Sequence, residues 1–178
     1  DPTGHLAQAH VRRADLAVCR IFYSEEQSTL FTTPALTIAI ELCRPGAVLP
    51  RYANPTDGGM DIINPRAITI PAGQTVIAPT GLKVAVPEGW MLLVFPRSGM
   101  SAKTGLRVAN SPGLIDAGYR DEVGVILHNT GGEDVHLDAG ARIAQLVVVQ
   151  RTEIRFAVVD AVKTIGTDRG GGFGSSGA

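Results

Sequence analysis

Apolar residues along most of this chain recur at every second position. Leu36, Ile38, Ile40 and Leu42 alternate with Thr37, Ala39 and Glu41, the period of a strand with one buried face. The same texture returns in Thr75-Val76-Ile77, in Leu82, Val84 and Val86 around Lys83, over 90–95, in Val123, Val125 and Leu127, and over 143–149. Turn residues separate these runs: Arg44-Pro45-Gly46, Pro71-Ala72-Gly73, Pro87-Glu88-Gly89, Gly131-Gly132 and Asp138-Ala139-Gly140. Only 99–105 leaves room for a helix, and a short one. Many short strands without intervening helices predict an all-β domain built as a sandwich, jelly roll or barrel.

The two ends depart from this texture. In residues 1–35, Val11, Ala14, Val18 and Ile21/Phe22 fall at helical spacing among Arg12, Arg13, Asp15 and Arg20. A short amphipathic helix and a poorly ordered extension both fit that pattern. An organelle presequence fits less well, given Asp15, Glu25 and Glu26 and no signal-type apolar core. The strand pattern fades near Asp160, which divides the chain into an extension (1–35), a β domain (36–160) and a glycine-rich tail (161–178). That tail is expensive to order. It nevertheless embeds Arg169 and Phe173 among glycines, which suits a lid: N–H groups for phosphate oxygens, a guanidinium for charge, a ring to stack on a base.

Composition narrows the function classes. A length of 178 residues fits one domain with a real core. The formal charge of −1 with interspersed signs shows no nucleic-acid footprint, so any phosphate ligand must be held by a few placed arginines. The 2 cysteines are too few for a disulfide framework and suit a reducing compartment. The 4 histidines include none paired with a cysteine at zinc spacing. No apolar run approaches the ~20 residues of a membrane span. The expectation is a cytoplasmic protein with no nucleic-acid or membrane partner.

Four segments carry candidate chemistry. Pro96-Arg97-Ser98-Gly99-Met100 follows an apolar strand, and an arginine, a hydroxyl and a glycine opening a helix make an anion site; an ordinary strand-to-helix turn explains the segment equally well. The run 110–122, rich in turn residues, suggests a hairpin holding Asp116 near Tyr119. Such residues commonly cap their own backbone, and they also serve as a general base beside a stacking ring. Asp57-Gly58-Gly59-Met60-Asp61 reads as a tight acidic turn. Alternation puts Arg142 on the face opposite Gln145 and makes it a solvated arginine.

In order and spacing, these segments together resemble the five motifs of the trimeric dUTPase family. Gly59-Met60-Asp61-Ile62 looks like the first motif, 96–100 the second, 113–119 the third, 142–145 the fourth and 169–177 the fifth. The resemblance implies a jelly-roll or β-clip-type barrel, a homotrimer with active sites at subunit interfaces, and hydrolysis of dUTP to dUMP and pyrophosphate. By it, Asn110, Gly113, Leu114, Ile115 and Gly124 hold the deoxyuridine, and Tyr119 lies against the deoxyribose where a 2′-hydroxyl would sit. Asp116 deprotonates the attacking water. Arg97, Ser98, Gly99, Gln145 and Arg169 offset phosphate charge alongside Mg2+, whose hydration shell Asp61 holds through water. Phe173 closes over the uracil, and Gly174, Ser175 and Ser176 close over the phosphates. Gly171 and Asp121 depart from the commoner pattern at positions that leave these roles intact. Two other readings remain: a dCTP deaminase, alone or combined with dUTP hydrolysis, whose arginine-serine-serine and glutamate signatures are not evident, and a non-catalytic β-trimer that acts as a regulator.

Overall fold

The computed structural model describes residues 35–168 and Gly170. A compact unit begins at Ile38. It contains ten strands: β1 (Ala39–Leu42), β2 (Met60–Ile63), β3 (Ile68–Ile70), β4 (Thr75–Ala85), β5 (Trp90–Phe95), β6 (Leu106–Val108), β7 (Gly113–Ile115), β8 (Glu122–Asn129), β9 (Val135–Leu137) and β10 (Arg142–Gln150). One short helix, α1 (Ser98–Lys103), and a single 3-10 turn at Val162–Thr164 complete the described elements. The all-β expectation holds, and α1 occupies the one window that the pattern left open. Among the described residues, no helix is long and apolar enough to cross a membrane.

The strands form a four-stranded sheet in the order β1-β4-β8-β6, a second in the order β2-β10-β5-β7, and a β3-β9 pair. Ile62, Leu92, Val94 and Leu146 from one sheet and Leu82, Val84, Val125 and Leu127 from the other belong to one buried cluster. Strand β8 shows the simplest logic: its residues alternate half-buried and buried along all 8 positions. The turns do what their residues allow. Ala47 N–H donates to Arg44 O and Ala141 N–H to Asp138 O, with Gly46 and Gly140 at φ +80° and +84° between them. That is the third position of a type II turn, which an L side chain rarely adopts.

Three expectations need correction. The runs at 75–77 and 82–86 are one strand, β4, which passes through Pro79 and Gly81 by means of an irregularity. Its register with β8 goes from Pro79↔Gly124 to Lys83↔Glu122, four steps on β4 against two on β8. Extra residues bulge out, so Pro79 and Gly81 do not end the strand. The run 110–122 is not a hairpin of paired strands either. β6 pairs with β8 and β7 pairs with β5, so the chain crosses between sheets at 109–112 and again at 116–121. Finally, β structure stops at Gln150, and 151–160 run exposed and outside any strand.

Candidate active site

Two concave regions gather most of the described candidate residues. The first, about 150 Å³, is lined by Asn110, Gly113, Leu114, Ile115, Tyr119 and Gly124, with Val94, Val123 and Ile126 closing it from behind. Strand β7 forms one wall. It is the last strand of its sheet, so along its open side alternate N–H and C=O groups have no ladder partner. Absent side chains keep this backbone accessible. A Cβ on Gly113 would lie 3.1 Å from Asn110 Nδ2, and one on Gly124 would lie 2.5 Å from Ile77 Cγ2. The Tyr119 hydroxyl donates to the Glu122 carbonyl at 2.8 Å, which ties this pocket-lining ring to the start of β8.

Asp116 follows β7 directly and is exposed, and Tyr119 N–H donates to its carbonyl at 3.0 Å in a tight turn. Asp116 lines a separate depression with Glu88, Trp90 and Arg151.

The second region, about 290 Å³, is lined by Asp57, Gly58, Gly59, Asp61, Arg97, Ser98, Gly99 and Gln145, with Ala53. Asp61 is its hub: Oδ1 accepts from Arg97 Nε at 2.7 Å and Oδ2 from Arg142 Nη1 at 3.2 Å. Gln145 Nε2 donates to the Pro96 carbonyl at 2.9 Å, tying β10 to the segment that carries Arg97. The expectation that Arg142 faces away from Gln145 is wrong, and the reason is local. Pairing with β2 slips between Arg142↔Ile63 and Ala144↔Ile62, so Ile143 and Ala144 are both buried in succession. This bulge resets the alternation: Arg142 bonds the Asp61 carboxylate, and Gln145 is the cross-strand partner of Asp61.

The two pockets share no residue, and β2 and β7 are the two edges of one sheet. Asp61 pairs with Gln145, Gln145 with Phe95, and Phe95's neighbour Val94 with Gly113. Three strand spacings put about 14 Å between them.

Among the described residues, no three His, Cys, Asp or Glu side chains cluster to hold a metal. A hydrated magnesium ion needs no such cage, because it keeps several waters and takes one or two carboxylates plus phosphates. Each Asp61 oxygen carries one guanidinium bond, leaving lone-pair sites for water. The donor set therefore fits magnesium held through its water shell.

A further ion pair lies behind the first pocket. Glu122 accepts from Arg44 at 2.6–2.7 Å and from Gly81 N–H at 2.9 Å. The Arg44 hydrogen bond holds the Glu122 carboxyl below the usual carboxylate range, and the Gly81 amide works the same way against burial. Glu122, in turn, raises the Arg44 guanidinium. Sequence reasoning passed over both residues. Arg44 reads as the first residue of a turn, and nothing local links it to a position 78 residues away. Asp57 and Gly58 are also pocket-lining residues that it left unassigned, and the Gly-Gly after an acidic residue was the available signal. Arg169, Phe173, Gly174, Ser175 and Ser176 lie outside the described residues.

The dUTPase family model matches residues 46–177. This chain belongs to the dUTPase family. It is 47% identical over 131 residues to the deoxyuridine 5'-triphosphate nucleotidohydrolase of Cutibacterium acnes, covering 72% of this chain and 85% of that one. To the enzyme of the same name from Thermobifida fusca it is 43% identical over 145 residues, 79% and 80% of the two chains. Among solved structures it resembles a variant dUTPase of Staphylococcus bacteriophage 80alpha with dUpNHpp, with a TM-score of 0.73, 26% identity, and 81% and 100% of the chains covered. It also resembles a dUTPase of phage phi11 of S. aureus described as coordinating a structural Mg(II) ion, with a TM-score of 0.66, 25% identity, and 71% and 99% covered. The dUTPase match therefore spans both pockets.

Proposed function

We propose that this protein hydrolyses dUTP at the α-phosphorus to dUMP and pyrophosphate, as a homotrimer of jelly-roll subunits with sites between chains. One observation carries the reading: a small backbone-lined pocket and a polar, arginine-bearing pocket sit at opposite edges of one sheet, with Asp116 at the end of the strand that walls the first. At about 150 Å³ the first is smaller than the ~300 Å³ at which sites for whole ligands begin. It suits a single-ring base.

Main-chain groups of β7 read the base edge. An edge that offers a donor and an acceptor at fixed positions accepts uracil and leaves cytosine with both groups mismatched, a penalty borne by unpaired buried polar groups. Tyr119 lies against the sugar and excludes a 2′-hydroxyl. Asp116 takes a proton from the water that attacks the α-phosphorus, and pyrophosphate departs. Arg97, Ser98, Gly99, Gln145 and, from the tail, Arg169 face the charge that moves onto that leaving group. Asp61 keeps Arg97 and Arg142 in place and would hold a magnesium ion through its water shell. Such an ion would supply positive charge to offset that of the leaving group. Phe173 and 174–176 close the site over base and phosphates.

Assembly from several copies is supported by the separation of the pockets and by the chain after β10. Ile154, Phe156 and Val158 stand at alternate positions, 66%, 93% and 100% exposed, a stripe that a neighbouring subunit would cover. A cytoplasmic location accords with the 2 cysteines.

The test is product analysis with dUTP, dTTP, UTP and dCTP, with and without magnesium. Pyrophosphate from dUTP alone, dependent on magnesium, is expected. Deaminated dCTP, or no turnover of any nucleotide, would overturn the reading. Asp116→Asn is expected to abolish turnover while retaining a non-hydrolysable dUTP analogue; wild-type rates would remove Asp116 from its role.

A further inference from the structure

We propose that Arg44, acting through Glu122, is a positioning residue for the Tyr119 wall that separates deoxyribose from ribose. The proposal rests on the reading of Tyr119 given above.

The connection is a short series of hydrogen bonds. Tyr119 Oη donates to the carbonyl of Glu122 at 2.8 Å. At the other end of the same residue, the Glu122 carboxylate is held on several sides. Arg44 Nε lies 2.6 and 2.7 Å from its two oxygens, Arg44 Nη2 lies 2.6 Å from Oε2, and Gly81 N–H donates to Oε1 at 2.9 Å. The next carbonyl, Val123 O, accepts from the buried Thr80 hydroxyl at 2.6 Å. Thr80 and Gly81 are the bulged residues of β4, so the extra length there curls around the start of β8 and grips it.

The grip is needed because β8 begins at Glu122 and the ladder beyond it is irregular. Besides the Lys83↔Glu122 ladder pair and the Val123 bond, the carboxylate clamp is what holds the residue that carries the Tyr119 acceptor. Arg44 is itself anchored. The preceding Cys43 N–H donates to Gly81 O at 2.8 Å, and the turn that Arg44 opens packs its Ala47 against Gly81, where a Cβ would lie 2.5 Å from Ala47 Cβ. The guanidinium thus reaches Glu122 from a rigid support, and its planar fork matches the carboxylate. Tyr119 is 38% exposed, so packing holds the ring only in part once its acceptor moves. Steric rejection of one hydroxyl depends on sub-ångström placement, and misplacement of about 1 Å by a remote substitution is worth up to about a hundredfold.

The experiment compares kcat and KM for dUTP and UTP in the full-length enzyme. Arg44→Ala is expected to leave kcat for dUTP near wild type and to lower the dUTP-over-UTP ratio of kcat/KM roughly tenfold, the scale of a lost hydrogen bond to a charged group. Arg44→Lys keeps the charge without the fork and should restore only part of the ratio. Should Arg44→Ala fail to fold, Glu122→Gln, which keeps the size of the side chain, carries the same expectation. The decisive arm is a cycle with Tyr119→Phe, which removes the linking hydroxyl. In that background, Arg44→Ala should change the ratio no further. Full additivity, or an unchanged ratio in both Arg44→Ala and Glu122→Gln, overturns the proposal. If Tyr119→Phe and Tyr119→Ala themselves leave the ratio untouched, the ribose-wall reading falls instead.

Discussion

Gly59 permits a worked test of how the phosphate pocket is held. A Cβ added there would lie 2.8 Å from Gln145 Oε1, 3.3 Å from its Cδ and 3.4 Å from its Cβ. Ordinary contact begins at 3.4 Å, so the amide oxygen must retreat about 0.6 Å. The Gln145 side chain is flexible, but its Nε2 donates to Pro96 O at 2.9 Å, so the retreat comes at the expense of that bond, worth about 1 kcal/mol. Gly59→Ala also stabilises by about 0.4–1 kcal/mol through the unfolded chain, which masks the loss if the variant is studied alone. Gly58 is the internal control: its Cβ would meet nothing within 4 Å and its φ is not positive. Urea unfolding of Gly58→Ala and Gly59→Ala at one fixed subunit concentration should therefore show the second less stable by about 1 kcal/mol. The displaced Gln145 should also raise KM for dUTP roughly fivefold in Gly59→Ala, the equivalent of the same energy. Equal stabilities, or an unchanged KM in Gly59→Ala, would refute the idea that Gln145 is fixed by Pro96 on one side and by the bare backbone of Gly59 on the other.

Three further outcomes follow from the geometry. Because Arg44, the Gly81 amide and the nearby Arg66 lower the Glu122 pKa in the folded state, the ion pair stabilises fully above the ordinary carboxylate value of about 4.3 and is lost as pH falls through the lowered one. The gap in melting temperature between wild type and Glu122→Gln should accordingly be flat near neutrality and shrink on acidification; a gap that grows in acid would contradict the sign. Gly105→Ala should cost about 2–3 kcal/mol, since its Cβ would meet the Gly131 backbone nitrogen at 2.6 Å and Asn129 Oδ1 at 2.8 Å; thermal melts check it. Deleting 168–178 should lower kcat by at least about tenfold, with the circular-dichroism β signal unchanged, and full activity would dismiss the lid.

Much of the fold was legible because the strands are amphipathic. Trp90–Phe95 matches its apolar run residue for residue, and Val123, Val125 and Leu127 mark the buried face of β8. Illegible features were those in which pairing, not pattern, decides. Pro79 and Gly81 look like chain breakers, yet β4 continues through them because β8 pairs on both sides of the irregularity. The Arg142–Asp61 contact was hidden by a one-residue slip in β10 that alternation cannot anticipate. Residues 110–122 read as a hairpin because turn residues announce a reversal without naming the sheet that receives the chain. The Arg44–Glu122 pair spans 78 positions, beyond any local rule.

The placement of the two pockets on opposite edges of one sheet also has a consequence for genetics and dosage. On the proposed reading, a chain is a donor of one half-site and an acceptor of another, so its defects are separable. A subunit spoiled at Asp116 and one spoiled at Arg97, each inactive alone, would regain a fraction of activity when mixed, because some interfaces would pair the two intact halves. In the same way, a defective copy would poison the wild-type chains it joins. Activity per chain would also fall on dilution once subunits part. The enzyme's own concentration would then set how much of it works.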